Sequence, residues 1–150
     1  GFFAAPSHSD RTIAREALER IGIESLSDRP FGQLSGGQKQ MVLLARALTQ
    51  EVDTFIMDEP VSGLDYGNQI RLLELINQLK TQGYTFLKTT HYPDHALMVS
   101  DRVVVMNGGK IISDGKPDAV ITDAMIDEVY GIKAEIITHK HRSWCIPDFH

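Results

Sequence analysis

Along this chain, stretches with an apolar residue every three or four positions alternate with short unbroken apolar runs. The first predicts helices and the second buried strands. Residues 11–20 read as a helix with Ile13, Ala17, Leu18 and Ile21 on one face, Ser9 or Asp10 as its cap and Gly22 as its stop. A loop with Pro30 covers 25–32, and Met41, Leu44, Ala45 and Leu48 give 38–48 helical spacing. Residues 54–57 form a strand-like run that ends in Asp58-Glu59-Pro60, which puts two carboxylates at the C-terminal end of a buried strand. After a turn-rich loop over 61–67, residues 68–82 carry the strongest helical stripe: Ile70, Leu72, Leu73, Ile76 and Leu79, stopped by Gly83. The second strand is expected over 84–90, with His91 at its end, then a short helix over 93–100. A third strand over 102–106 turns through Asn107-Gly108-Gly109 into 110–112, a hairpin that Asp114-Gly115 closes. Residues 117–129 read as mostly helical, and from 133 onward the pattern is short and mixed.

Helices and strands in alternation imply an α/β fold with a parallel sheet and crossover helices. In such sheets chemistry gathers beyond the C-terminal ends of the strands. Asp58, Glu59 and His91 all fall there.

One polar stretch stands out between the first two helical patterns. Ser35 and Gln38 form S-x-x-Q, a capping box that opens a helix. Gly36 and Gly37 add no side-chain bulk to its first turn, whose backbone N–H groups lack intrahelical partners and lie at the positive end of the dipole. The stretch is therefore a candidate phosphate or carboxylate site, with an ordinary capped helix as the plainer alternative.

Composition narrows the class. The 150 residues fit one domain with a core, and 42% apolar with 23% charged residues is ordinary for a globular protein. A net charge of −5 with no basic run argues against a module held to nucleic acid by phosphate neutralisation. Cys145 is the one cysteine, so no intrachain disulfide forms and a reducing compartment is the simple expectation. No apolar run approaches the ~20 residues of a membrane-spanning helix. The chain opens at Gly1 in mid-pattern, with no signal-peptide pattern, which raises the expectation that natural sequence lies upstream. His139, His141, Cys145 and His150 suggest a metal at first sight, but their spacing fits no zinc pattern, and 138–150 is expected to be a solvated tail.

Taken together, the motifs resemble the C-terminal part of the ATPase subunit of ATP-binding cassette (ABC) transporters. Leu34-Ser35-Gly36-Gly37-Gln38 resembles the family signature, and Phe55-Ile56-Met57-Asp58-Glu59-Pro60 resembles Walker B followed by the catalytic glutamate. Ser62-Gly63-Leu64-Asp65 resembles the D-loop, Thr90-His91 the switch histidine, and 102–115 the closing strand and hairpin. The resemblance runs from about 11 to about 137. No G-x-x-x-x-G-K-[ST] loop occurs in these residues, so Walker A and the Q-loop are expected upstream.

The resemblance implies a P-loop NTPase-like parallel sheet lacking its N-terminal strands and Walker A, with part of a helical subdomain and a C-terminal β-hairpin. Residues 1–48 would be the subdomain remnant with the signature helix, 49–137 the C-terminal half of the catalytic core, and 138–150 the tail. It implies ATP and Mg²⁺ as ligands of a dimer. Asp58 would hold the metal, Glu59 would polarise the attacking water and His91 would sense the γ-phosphate. Ser35, Gly36, Gly37, Gln38 and Asp65 would serve the nucleotide across the dimer seam. Implied partners are a second ATPase subunit and membrane permease subunits, with no nucleic acid and no contact with cargo. The implied location is the inner face of the cell membrane. Pro93-Asp94 and Glu128-Val129-Tyr130-Gly131-Ile132 resemble importers for siderophore-bound iron, haem, cobalamin or molybdate.

Plainer readings stand beside these. Asp58 and Glu59 fit a strand-end acid pair, His91 a structural histidine and Asp65 a helix cap. A non-transport ABC-type ATPase, or a non-catalytic module lending its signature to a complete partner, also fits the motifs. The fragment is expected to be inactive alone and to aggregate or swap through an exposed strand edge.

Overall fold

The computed structural model describes residues 5–50, 52–140 and 142–149. The chain divides between Thr89 and Thr90 into two compact units. The first holds α1 (His8–Arg20), α2 (Gly36–Leu48), β1 (Thr54–Met57), α3 (Tyr66–Thr81) and β2 (Thr85–Lys88).

Helix α1 starts earlier than its apolar face suggested. Ser7, rather than Ser9 or Asp10, is the cap: its Oγ accepts from the Asp10 amide, and Asp10 accepts from the Ser7 amide in return. Gly22 ends the helix at φ +71°, where a side chain would be strained. Two single 3₁₀ turns, Glu24–Leu26 and Phe31–Gln33, replace the expected loop.

Strands β1 and β2 pair in parallel, Phe55 beside Phe86 and Ile56 beside Leu87. The Phe55 and Phe86 rings stack at 4.9 Å, and Tyr84 meets Phe55 edge-on at 5.7 Å. The α3 stripe behaves as predicted: Leu72, Leu73, Ile76 and Leu79 are at most 1% exposed. Burial of each such side chain contributes roughly 1.5–3 kcal/mol. Alternation sends Ile56 and Leu87 to the other face of the pair, where they are 81% and 63% exposed. Parallel sheets ordinarily bury both faces, so this one lacks a cover among the described residues.

The second unit holds α4 (Pro93–Val99), β3 (Val103–Asn107), β4 (Lys110–Gly115), α5 (Pro117–Val120), α6 (Asp123–Tyr130), β5 (Ala134–His139) and β6 (Arg142–Pro147). The third strand does not extend a parallel sheet. Among the described residues β3 pairs only with β4, antiparallel, because the Gly108-Gly109 reversal folds the chain back on itself. The Arg102 guanidinium clasps Asp114 through two bonds of 2.7 and 2.6 Å across this hairpin. The expected helix over 117–129 is two, broken at Ile121-Thr122, with Thr122 capping α6.

The expected solvated tail is mostly a second antiparallel hairpin, β5–β6. Ala134, Ile136 and Cys145 face a core of Ala96, Ile121, Met125 and Ile126. Side chains of the helices tie it down: Asp94 accepts the Cys145 amide at 2.7 Å and Asp123 the Ile136 amide at 2.8 Å. Trp144 lies on the opposite, outward face. Of the histidines that suggested a metal, His141 and His150 lie outside the described residues.

Candidate functional site: an acid pair and a capped helix start

Strand β1 ends at Met57, so Asp58 and Glu59 leave the sheet at its C-terminal edge. Asp58 is exposed and Glu59 half-buried. Glu59 has φ +41°, the left-handed region that a residue with a Cβ enters reluctantly. Thr89 meets both acids. Its hydroxyl donates to Asp58 Oδ1 at 2.6 Å and accepts the Glu59 amide at 2.9 Å. The strand register explains the meeting, because Met57 is paired with Lys88 and the next residues on each strand are Asp58 and Thr89. Beside it, burial pushes the Lys88 ammonium down to about 8, with Lys80 adding charge repulsion.

The capping box at α2 is formed as read. Ser35 Oγ accepts from the Gln38 amide at 3.3 Å, and Gln38 Oε1 accepts from the Ser35 amide at 3.0 Å. Ser35 and Gly36 are exposed. Gly37 is different. A Cβ built there would lie 2.6 Å from Asn68 Cγ and 2.9 Å from Asn68 Cβ. Its missing side chain makes room for Asn68 of α3.

Asp65 caps α3: Oδ1 accepts the Asn68 amide at 3.0 Å, and Oδ2 accepts from the Asn68 side chain. These bonds hold the Asp65 carboxyl below the usual carboxylate range. Asn68 thus links Asp65 to the start of α2. A shallow groove runs between α2 and β1, with Leu43 on one wall, Ile56 and Met57 on the other, and Asp58 at its edge.

The first unit therefore gathers Asp58 and the Glu59 amide around Thr89, and sets Asn68, bonded to Asp65, against Gly37 beside the Ser35–Gln38 capping box. His91 belongs to the second unit. It is exposed, and its carbonyl accepts the Tyr130 hydroxyl at 3.3 Å. Thr89 and Asn68 escaped the sequence reading. Strand register would have found the first, but the second depends on how two helices pack.

Chemically, the first unit offers hard carboxylate oxygens at a strand end and a helix start rich in amide donors. The first suits a divalent cation and the second an anion.

Comparison with known proteins finds similarity to ATP-binding proteins of transporters. Residues 5–62 match the ABC transporter family model. The chain is 38% identical over 140 residues to an uncharacterized ABC transporter ATP-binding protein of Haemophilus influenzae, covering 93% of this chain and 53% of that protein. It is 36% identical over 137 residues to the iron(3+)-hydroxamate import ATP-binding protein of Bacillus subtilis, covering 91% and 51%. A solved metal-chelate type ABC transporter in an inward-facing conformation superposes with a TM-score of 0.88 at 27% identity, covering 99% of this chain and 62% of the solved one. The chain spans about half the length of the curated relatives it matches. Over these spans it is similar to the ATP-binding subunits of ABC transporters.

Proposed function

We propose that this chain supplies the signature, Walker B, D-loop and switch-histidine parts of the ATP-hydrolysing subunit of an importer for metal chelates. The observation that supports this most is the Asp58–Glu59 pair leaving the end of a parallel strand, with Glu59 in a left-handed backbone and Thr89 bonded to both acids. Asp58 presents an exposed, anionic oxygen donor and spends one bond on a neutral hydroxyl, which suits Mg²⁺. The ion, when bound, neutralises charge on phosphate oxygens.

Glu59 orients and polarises the attacking water as its proton leaves. His91 hydrogen-bonds the γ-phosphate. The exposed start of α2 at Ser35-Gly36 closes over a triphosphate gripped by a second subunit, and Asp65 serves the same seam. The work of hydrolysis passes to membrane permease subunits, so the chain acts at the inner face of the membrane and touches neither cargo nor nucleic acid. The chelate class rests on the iron-hydroxamate import relative and on the metal-chelate type neighbour.

Phosphate cradling requires backbone donors and a lysine that no G-x-x-x-x-G-K-[ST] loop supplies in these 150 residues. The chain corresponds on this reading to the later part of a longer subunit. Two measurements test it. In the longer subunit, Glu59→Gln should retain ATP binding and lose turnover; unchanged turnover would refute the reading. The 150-residue chain alone should release no phosphate above background, and Mg²⁺-dependent release would refute the assignment of the missing loop to another segment.

A further inference from the structure

We infer that Thr89 is a positioning residue for hydrolysis, acting through Asp58 and Glu59; this rests on the roles proposed for those two acids. One hydroxyl makes both bonds. As a donor it fixes Asp58 Oδ1 at 2.6 Å, and as an acceptor it holds the Glu59 amide at 2.9 Å. The second bond matters because Glu59 sits at φ +41°. A residue with a Cβ stays in that region only when its surroundings impose it. The direction in which the Glu59 side chain leaves the backbone follows from that φ. The Thr89 hydroxyl therefore sets the aim of the water-polarising carboxylate while keeping the metal-binding one turned to its place.

Thr89 is itself exposed and follows the last residue of β2, with its own amide bonded to the Met57 carbonyl at 3.0 Å. That backbone bond does not involve the side chain, so the hydroxyl can be removed by valine without dismantling the strand end. The two functions need a donor and an acceptor on one short side chain. Serine also supplies both, while valine keeps the shape and supplies neither.

The experiment compares Thr89→Val and Thr89→Ser in the full-length subunit, assembled as it works, with Glu59→Gln beside them. Thr89→Val should lower kcat about tenfold, the size of one lost hydrogen bond, and leave the KM for ATP within about twofold. It should also raise the Mg²⁺ concentration for half-maximal rate. Thr89→Ser should restore kcat to within about twofold. A crystal structure of Thr89→Val should show Glu59 returned to negative φ. Wild-type kcat and Mg²⁺ dependence in Thr89→Val, with Glu59→Gln inactive, overturn the inference alone. An active Glu59→Gln overturns the parent reading and this inference with it. A loss shared equally by the valine and serine variants also overturns it, since the hydroxyl would then not be what matters.

Discussion

Gly37→Ala isolates the contact between α2 and α3. A Cβ at this position would stand 2.6 Å from Asn68 Cγ, 2.9 Å from Asn68 Cβ and 2.9 Å from Asn68 Nδ2. Rotating the Asn68 amide away relieves the first and third approaches and breaks its bond to Asp65, but the second is fixed by the α3 backbone. One of the two helices must therefore shift. Overpacking of this kind costs about 1–3 kcal/mol. Alanine is worth up to about 1 kcal/mol more than glycine within a helix, which offsets part of it. The net expectation is a loss of about 1–2 kcal/mol, a drop of roughly 0.5–1 M in the urea midpoint. Far-UV circular dichroism of the purified chain reads it. The Asn68→Gly background removes the obstructing atoms, so there Gly37→Ala should be neutral or stabilising. A wild-type background in which Gly37→Ala stabilises, or an equal penalty in both backgrounds, would refute the packing argument.

Other outcomes follow from the same structure. Lys88 titrates near 8 in the folded chain and near its ordinary, higher value when unfolded. Between those values the unfolded chain binds more protons, so stability should rise as pH increases through that window. At neutral pH Lys88→Met should stabilise the first unit by on the order of 1–2 kcal/mol, after allowing for residual solvent contact, and denaturant melts at two pH values check both. Ile76→Ala should cost about 2–5 kcal/mol, because Ile76 is 1% exposed in the α3 core, and an unchanged melt would count against that core. Burial with Asp94 and Asp123 nearby pushes the Cys145 thiol up, so alkylation at neutral pH should lag behind that of a free cysteine and catch up in urea. The exposed Ile56 and Leu87 should make the isolated chain self-associate; Ile56→Lys with Leu87→Glu should reduce this in sedimentation runs, and a monomeric parent chain would refute it.

What the sequence disclosed was chemistry encoded within a few residues. The capping box at Ser35, the acid pair after β1 and the α3 stripe each depend on spacing of four residues or fewer, and each stands where the pattern put it. Features that failed were those whose signal lies across the chain. The β5–β6 hairpin was invisible because its outward positions Ile137, Trp144 and Ile146 are apolar too, so no clean alternation marks a buried face. Its reversal uses Lys140 at φ +47° where glycine or asparagine would have announced a turn. Thr89 became interesting only when register set it beside Asp58, and Gly37 changed meaning only when Asn68 proved to fill the space beside it.

The sole tryptophan has a practical consequence. Trp144 stands on β6, in the unit that begins at Thr90, while the unit before it contains tyrosine and phenylalanine but no indole. Intrinsic emission excited at the red edge therefore follows one half of the molecule and is silent about the other. Overlaid on a helical signal weighted toward α1, α2 and α3, it lets a single titration tell whether the halves come apart in concert or in succession, with no label introduced.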